Sequence, residues 1–440
     1  MNPRVLILGN TLAGLVTAWR LGMAGFQVTI LYASESAEEE QVARSMPFVG
    51  YGPHKHTDSL RQELEIPTSH SRWDPLGLEF MTATTQTAKF PNPPLPTPWR
   101  TLLGIAKFSA LPVSRRWNLL NYIEKVWEKK EALPNSLDLR SAESWLTSIG
   151  QPLPVQNAVW NPLCRFLLGA SLSHTRAGSF TNIVTRVFFQ SSYDRPHIPE
   201  YPDFISSLTQ ALHKQLEQLG VTKHPVPAIE HLQVSSERIS GVCLSDGTIR
   251  TADWYVSALP PKMLTSLLSE RLLARYAMFH QMSQQTFAPI IAFNVFADGN
   301  IKTPRFLLHP GPFAWTLCRG TFFAGEPATL VSCVSLGAQD LFSQTDDHLT
   351  TLALQHLDGM AAYIPHLHVP SVRGHSLVRQ SLGFTPQTPG VSPSRPSNHT
   401  PLSNLFLTGS WTDTNATSEL ESAICSGDLC AQAVTQLASH

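Results

Sequence analysis

An unbroken apolar run, Val5-Leu6-Ile7-Leu8, gives way at Gly9-Asn10-Thr11-Leu12-Ala13-Gly14. Apolar positions then recur at helical spacing to Ala24, Gly25 interrupts them, and Val28-Thr29-Ile30-Leu31 resumes a strand-like run. Strand, Gly-rich turn, helix, strand is the spacing of a dinucleotide-binding βαβ unit. In that fingerprint the first glycine makes the tight turn, the second lets backbone approach a pyrophosphate, and the third packs the helix on the sheet. Gly9 and Gly14 supply the first and third, Thr11 stands in the second place, and Tyr32 stands where an acid would bind a ribose hydroxyl. The scaffold of a nucleotide site is kept, and the groups that grip the nucleotide are changed.

Further along, residues 58–64 have the pattern of a short helix. Five prolines between Pro91 and Pro98 remove donors and fix φ, so this stretch predicts a rigid strap. Amphipathic periodicity follows over 99–110, 114–130, 141–149 and 155–168, which makes 97–195 a mainly helical insertion. A helix over 204–219 ends at Gly220. Strand-like pieces then occupy 221–226, 228–234, 239–244, 248–252 and 254–258, with Asp246-Gly247 as a hairpin turn. A second mixed region has strands near 290–296, 306–309 and 329–335 and a helix over 348–362. A loop rich in Pro, Ser and Thr fills 385–401, and Leu405-Phe406-Leu407, Gly409 and a helix from about 420 to 437 close the pattern. The expected architecture is α/β and discontinuous. A Rossmann-type domain draws on 1–70, 204–262 and 386–440, and an inserted α+β substrate domain, mixed sheet plus helical insertion, draws on 71–203 and 263–385.

Composition narrows the partners more than the fold. Of 440 residues, 42% are hydrophobic and 15% charged, enough for a sizeable core, and a formal net charge of −1 removes the electrostatic case for nucleic acid. Cys164, Cys243, Cys318, Cys333, Cys425 and Cys430 form no Cys-x-x-Cys pair and read as buried free thiols of a reducing cytosol. The start, Met1-Asn2-Pro3-Arg4, leads straight into the first strand, so no signal peptide is expected. No run approaches the ~18 apolar residues of a membrane span, and a soluble or peripheral protein is expected. The acids Glu35, Glu38, Glu39 and Glu40 read as a solvated loop or helix start.

Several separated stretches together resemble the FAD-dependent amine oxidase and phytoene desaturase superfamily, within it the squalene-associated hydroxysqualene dehydroxylase branch. They are Val5 to Leu31, Leu95-Pro96-Thr97-Pro98, Ala142-Glu143-Ser144-Trp145-Leu146, Trp160-Asn161-Pro162-Leu163-Cys164, and Gly241-Val242 through Asp246-Gly247 to Ala258-Leu259-Pro260. The most specific is the tail from Thr400-Pro401 through Leu405-Phe406-Leu407-Thr408-Gly409-Ser410-Trp411-Thr412-Asp413-Thr414, continued by Glu421 and Ser426-Gly427. The resemblance implies FAD, with its pyrophosphate on the first helix N-terminus at Gly9, Asn10, Thr11, Leu12, Ala13 and Gly14. It places adenine against the backbone of Val226, the ribityl chain against Gly409, Ser410 and Trp411, and the isoalloxazine side along Thr412 to Glu421. It further implies an apolar isoprenoid substrate that loses an allylic hydroxyl reductively to give squalene, a hopanoid or sterol precursor. Squalene or phytoene synthase-like partners, and a cytoplasmic location peripheral to the inner membrane, come with it.

The chain departs from that family at Thr11, at Tyr32, at Glu38 and Glu39 in place of paired glycines, at Ser410 in place of an acid, and at Asn415 and Thr417. Each lost charge-assisted hydrogen bond is worth about 1.5–3 kcal/mol, so FAD binding is expected to be weakened or lost unless Thr11, Ser410 and Tyr32 compensate. A degenerate, FAD-poor homologue that binds lipid or scaffolds isoprenoid synthases is therefore a rival, as is a desaturase or oxidase of another apolar substrate. Asp413 and Glu421 are the first residues to test as catalytic acids, Asp413 equally as a helix cap. Trp160 to Cys164 reads as core more than cavity wall, Cys164 is a poor nucleophile candidate, and His54 and His56 read as loop residues more than flavin neighbours. His366 and His368 lack a ligand cluster for a metal. Trp99, Trp117 and Trp127 are expected to pack in the core rather than anchor at a membrane edge.

Overall fold

The computed structural model describes residues 2–33, 47–51, 54–66, 73–83, 86–129, 135–190, 197–199, 204–285, 287–299, 301, 303–361, 372–384, 395–414, 416 and 418–438. The acidic run at 35–40, His366, His368, Asn415 and Thr417 lie outside them, as does the side chain of Trp127. The chain opens with β1 (Arg4–Leu8), α1 (Leu12–Met23) and β2 (Gln27–Ala33). Then come α2 (Lys55–Glu63), β3 (Trp73–Pro75), β4 (Leu78–Ala83) and β5 (Gln86–Lys89). The insertion holds α3 (Trp99–Lys107), α4 (Val113–Lys129), α5 (Ala142–Ser148), α6 (Asn161–Leu168), α7 (Ala177–Thr185) and β6 (His197–Pro199). Next are α8 (Phe204–Gln218), β7 (Thr222–Val226), β8 (Ile229–Ser235), β9 (Arg238–Leu244), β10 (Ile249–Arg250) and β11 (Trp254–Ser257). The remainder is β12 (Ala288–Ala297), β13 (Arg305–Leu308), β14 (Trp315–Phe323), β15 (Glu326–Leu336), α9 (Asp346–Ala361), β16 (Val372–Phe384), β17 (Leu405–Leu407) and α10 (Glu419–Ala438).

Five strands in the order β17-β11-β1-β2-β7 form a wholly parallel sheet. Burial on both faces explains the unbroken apolar run at 5–8. On one face α1, α8 and α10 bury Leu15, Val16, Trp19, Leu208, Leu212, Ile424 and Val434. A Cβ on Gly427 would come within 2.8 Å of Val16 Cβ, so α1 and α10 touch through a glycine. On the other face the β8–β9–β10 sheet packs through Leu232, Val242 and Leu244.

A second sheet, β16-β12-β15-β14-β13-β4-β5, is antiparallel except where β13 runs parallel to β4. One face meets the helical insertion through Phe80, Phe166, Phe306 and Trp315, and the other meets α9 through Phe293, Leu307, Cys333 and Leu357.

Three expectations change. The helix anticipated over 155–168 is broken by a wide π-helical turn at Gln156–Trp160 before α6 begins. Pro162 has no N–H and its ring would clash with the carbonyl four residues back, which a wider turn relieves. The strand anticipated over 248–252 shrinks to β10, where the Asp246 carboxylate accepts from Thr248 N at 2.9 Å and holds the turn. Trp99 and Trp117, expected in the core, are exposed.

Candidate functional site

The carboxyl ends of β1, β2, β11 and β17 converge at one edge of the parallel sheet, and α1 starts there. In open α/β sheets such an edge is where ligands bind. Gly9 turns the chain at φ +101°, and its N–H donates to Leu31 O at 2.7 Å. A Cβ on Gly14 would meet both Ala258 Cβ and Gly9 O at 2.9 Å, so helix, turn and the strand after β11 close up only around a glycine. Thr11 is the N-cap of α1, and its Oγ1 accepts from Gly14 N at 3.3 Å. The side chain that stands in the second glycine's place is thus folded back onto its own helix. Leu12 N and Ala13 N have no protein acceptor among the described residues. Two free amides, the positive end of the helix dipole and a glycine turn make a fit cradle for one phosphate group, with Gly14 N already taken by the cap.

Around this cradle, Tyr32 is half-buried and pairs in register with Pro225, while Val226 is buried beside Leu31 at the end of β7. Gly409, after β17, donates its N–H to Ser426 Oγ at 2.9 Å. A Cβ there would lie 2.3 Å from Trp411 Nε1, so the buried indole sits directly on the glycine. Ser410 O accepts from Arg395 at 3.0 Å, and Thr412 Oγ1 meets Ser426 Oγ at 2.7 Å. Thr17, Thr408 and Asn398 extend this buried network and fasten the turn to α1 and α10.

The structure separates the two acid candidates. Asp413 is exposed, and among the described residues only its N–H is bonded, to Pro396 O at 3.0 Å. It does not cap α10, because Ser418 Oγ takes that role by accepting from Glu421 N at 3.3 Å. Glu421 is buried, 3% exposed. Its carboxylate accepts from Thr57 N at 2.8 Å, Thr57 Oγ1 at 2.5 Å and His56 N at 3.0 Å. These are first-turn donors of α2, whose own N-cap residue, His54, makes no side-chain cap. A carboxylate from α10 therefore caps a helix 364 positions away. His54, expected in a surface loop, is buried, with Nδ1 4.0 Å from Glu421. The Asp428 carboxylate, from α10, stands 3.8 Å from His56 and accepts from Arg20 at 2.7 Å, and Arg20 also grips Glu63 with both terminal nitrogens. Asp428, together with Cys425, raises His56 to about 10.

Between the second sheet and the insertion, Phe166 stacks 4.9 Å from Phe306, which lies 5.6 Å from Trp315. The buried Trp315 indole N–H has no partner among the described residues. Arg165 spans from α6 to Gly311 O and Pro312 O, and burial pushes its guanidinium below its ordinary value. Cys164 is fully buried, and burial pushes its thiol up to about 12, which disarms it as a nucleophile. All six cysteines are free and buried, as anticipated. Behind the same sheet, His309 Nε2 lies 3.0 Å from Thr316 Oγ1 and 3.2 Å from His356 Nε2. Burial lowers both imidazoles, His356 to about 4. Among the described residues no three His, Cys, Asp or Glu side chains gather as a metal site.

The chain has relatives both in sequence and in fold. A family model described as flavin containing amine oxidoreductase matches residues 48–435. A 15-cis-phytoene desaturase from an Oncidium hybrid cultivar is 21% identical over 465 residues, covering 98% of this chain and 78% of the relative. A zeta-carotene desaturase from Synechocystis is 24% identical over 332 residues, covering 68% of this chain and 66% of the relative. A crystal structure of an oxidoreductase from Methanosarcina mazei superimposes with a TM-score of 0.69 at 15% identity, covering 98% of this chain and 100% of that one, a likeness of fold. With the family model spanning well over half its length, the chain belongs to the flavin containing amine oxidoreductase family.

Proposed function

We propose that the protein is an FAD-dependent oxidoreductase acting on a long-chain isoprenoid. The observation that carries this is the α1 N-terminus, where the free amides of Leu12 and Ala13 stand beside the Gly9 turn at the edge of the parallel sheet. Relatives named for phytoene and zeta-carotene support the substrate class. Bound FAD would supply a hydride donor or acceptor. Leu12 and Ala13 would hold the pyrophosphate, Val226 would meet the adenine edge, and Gly409 to Trp411 would meet the ribityl chain. Glu421 would set the position of α2 through its three hydrogen bonds, and the layer of Phe166, Phe306 and Trp315 would keep water from an apolar substrate. Within this class we put first the reductive removal of an allylic hydroxyl from hydroxysqualene, with desaturation of a carotenoid-like chain beside it.

The Thr11 cap favours a second reading, a homologue that binds FAD poorly and serves as a lipid-binding or scaffolding partner of isoprenoid synthases, because the cap withdraws one phosphate donor. A visible spectrum separates the two. Flavin absorbs near ~450 nm where no side chain does, so a yellow protein, or one that turns yellow with added FAD, supports the oxidoreductase. A protein colourless under both conditions overturns it. Incubating the yellow protein with hydroxysqualene under a reductant, or with phytoene under an oxidant, then assigns the reaction by which product forms.

A further inference from the structure

The buried tryptophans of the helical insertion keep their indole N–H groups occupied. Trp145 Nε1 donates to Tyr122 Oη at 3.3 Å, and Trp160 Nε1 donates to Gln151 Oε1 at 3.2 Å. Trp315, on β14 and only 4% exposed, differs: its N–H meets neither solvent nor any acceptor among the described residues. Indole is a donor only, so the ring has no second polar contact to offset the loss. A sealed, unmade donor is costly, and native folds keep few of them. Phenylalanine would fill most of the same apolar site without that cost, so the N–H calls for an acceptor from outside the chain.

Its surroundings say what could bring one. The register of β14 sets Trp315 opposite Val334 of β15 and Leu308 of β13, on the face of the second sheet that meets the insertion. The indole lies 5.6 Å from Phe306 and, edge on, 6.4 Å from Phe166 of α6. Phe166 in turn lies edge on to Tyr51 at 5.5 Å. Tyr51 Oη donates to Leu167 O at 2.8 Å, and its phenol feels the charges of Glu419 and Arg395. Arg395 is the residue that holds Ser410 O, in the turn proposed for the ribityl chain. The unpaired N–H is thus two ring contacts from Tyr51, which connects through Arg395 to that turn. A ligand entering this layer must be apolar along most of its length and carry an accepting atom at one point. A carotenoid-like hydrocarbon has none and would leave the donor unmade, whereas an alcohol on the same kind of chain supplies a hydroxyl oxygen.

We propose that Trp315 is a specificity-determining donor, whose indole N–H bonds the hydroxyl oxygen of an isoprenoid alcohol as the chain parts the layer of Phe166, Phe306 and Trp315. This rests on the isoprenoid reading and chooses, within it, the alcohol over the hydrocarbon. Loss of the hydroxyl removes the acceptor, so the same N–H favours substrate over product. The test is equilibrium dialysis of the whole protein, in detergent micelles, against hydroxysqualene and against squalene, which differ by that hydroxyl. The wild-type protein should bind the alcohol about tenfold more tightly, because a site built around a hydroxyl rejects the analogue that lacks it. Trp315→Phe should bring the two within about twofold, weakening the alcohol and leaving squalene as before. A packing role would weaken both ligands together, and that result overturns the proposal, as does a wild-type protein that binds both equally. Should the variant not fold, the wild-type protein decides alone. The ketone of the same chain accepts a hydrogen bond and cannot donate one, so it should bind as tightly as the alcohol. A ketone that binds no better than squalene overturns the donor role. Failure of the isoprenoid reading gives a different result, in which neither the alcohol nor squalene binds and both conclusions fall.

Discussion

Replacing Thr11 by glycine should tighten FAD binding. In the native chain Thr11 Oγ1 accepts from Gly14 N at 3.3 Å, so one of three first-turn amides is turned inward. Glycine is itself a tolerable N-cap, and losing the hydroxyl costs only a few tenths of a kcal/mol of stability. The freed amide can then donate to a phosphate oxygen, and a hydrogen bond to a charged acceptor is worth about 1.5–3 kcal/mol. The net gain corresponds to a roughly ten- to hundredfold lower Kd. The assay is a titration of apoprotein with FAD, followed by flavin fluorescence, with a thermal melt of each variant. Thr11→Ser is the control, since it keeps the cap oxygen and removes only the methyl, and its Kd should stay within about twofold of wild type. A glycine variant that binds no tighter refutes the reasoning. A serine variant that tightens as much as glycine would transfer the blame from the cap to the methyl group.

Three further outcomes are expected. Glu421→Gln should destabilise the protein by about 1.5–3 kcal/mol, read as a lower urea midpoint, because α2 loses a charged acceptor and one of its bonded donors is left buried; an unmoved midpoint would show that α2 does not depend on this cap. Acid should loosen the α9 face of the second sheet. The neutral forms of His309 and His356 are favoured on folding, so their contribution is full above the unfolded value of 6.5 and is lost as pH falls toward about 4. His356→Gln should flatten the drop in melting temperature between those limits, and a variant as acid-sensitive as wild type would exclude the pair as its source. Gly427→Ala should cost about 1–3 kcal/mol, since its methyl meets Val16 Cβ at 2.8 Å and must push α1 and α10 apart; an unaltered melting temperature would show that the helices yield freely.

The βαβ front, α8, β11 and the closing strand and helix are legible because each has a clean period and a glycine or proline stop. β14 is not, since Arg319-Gly320 interrupts its apolar run, even though both of its partners, β13 and β15, are its neighbours along the chain. Thr11 was readable in a second way. A threonine directly before an apolar helical run is an N-cap signal, and set against a glycine fingerprint it looks only like a loss. The cap of α2 had no local trace. His54 offers none, and the carboxylate that replaces it arrives from Glu421, which a sequence pattern presents as one more acid in a first helical turn. The two exposed tryptophans of α3 and α4 show the same limit, for amphipathic spacing locates an apolar face without saying whether protein covers it.

The last helix reaches back to the first ones at three points: Gly427 against Val16, Asp428 on Arg20, and Glu421 on the start of α2. During synthesis the βαβ segment of β1, α1 and β2 would therefore stay unfinished until β17 and α10 had been made. Its edge would lack β17, and one helix would lack its terminating carboxylate. Closure of the parallel-sheet half must wait for α10, so truncations that remove α10 should be felt at α1 and α2.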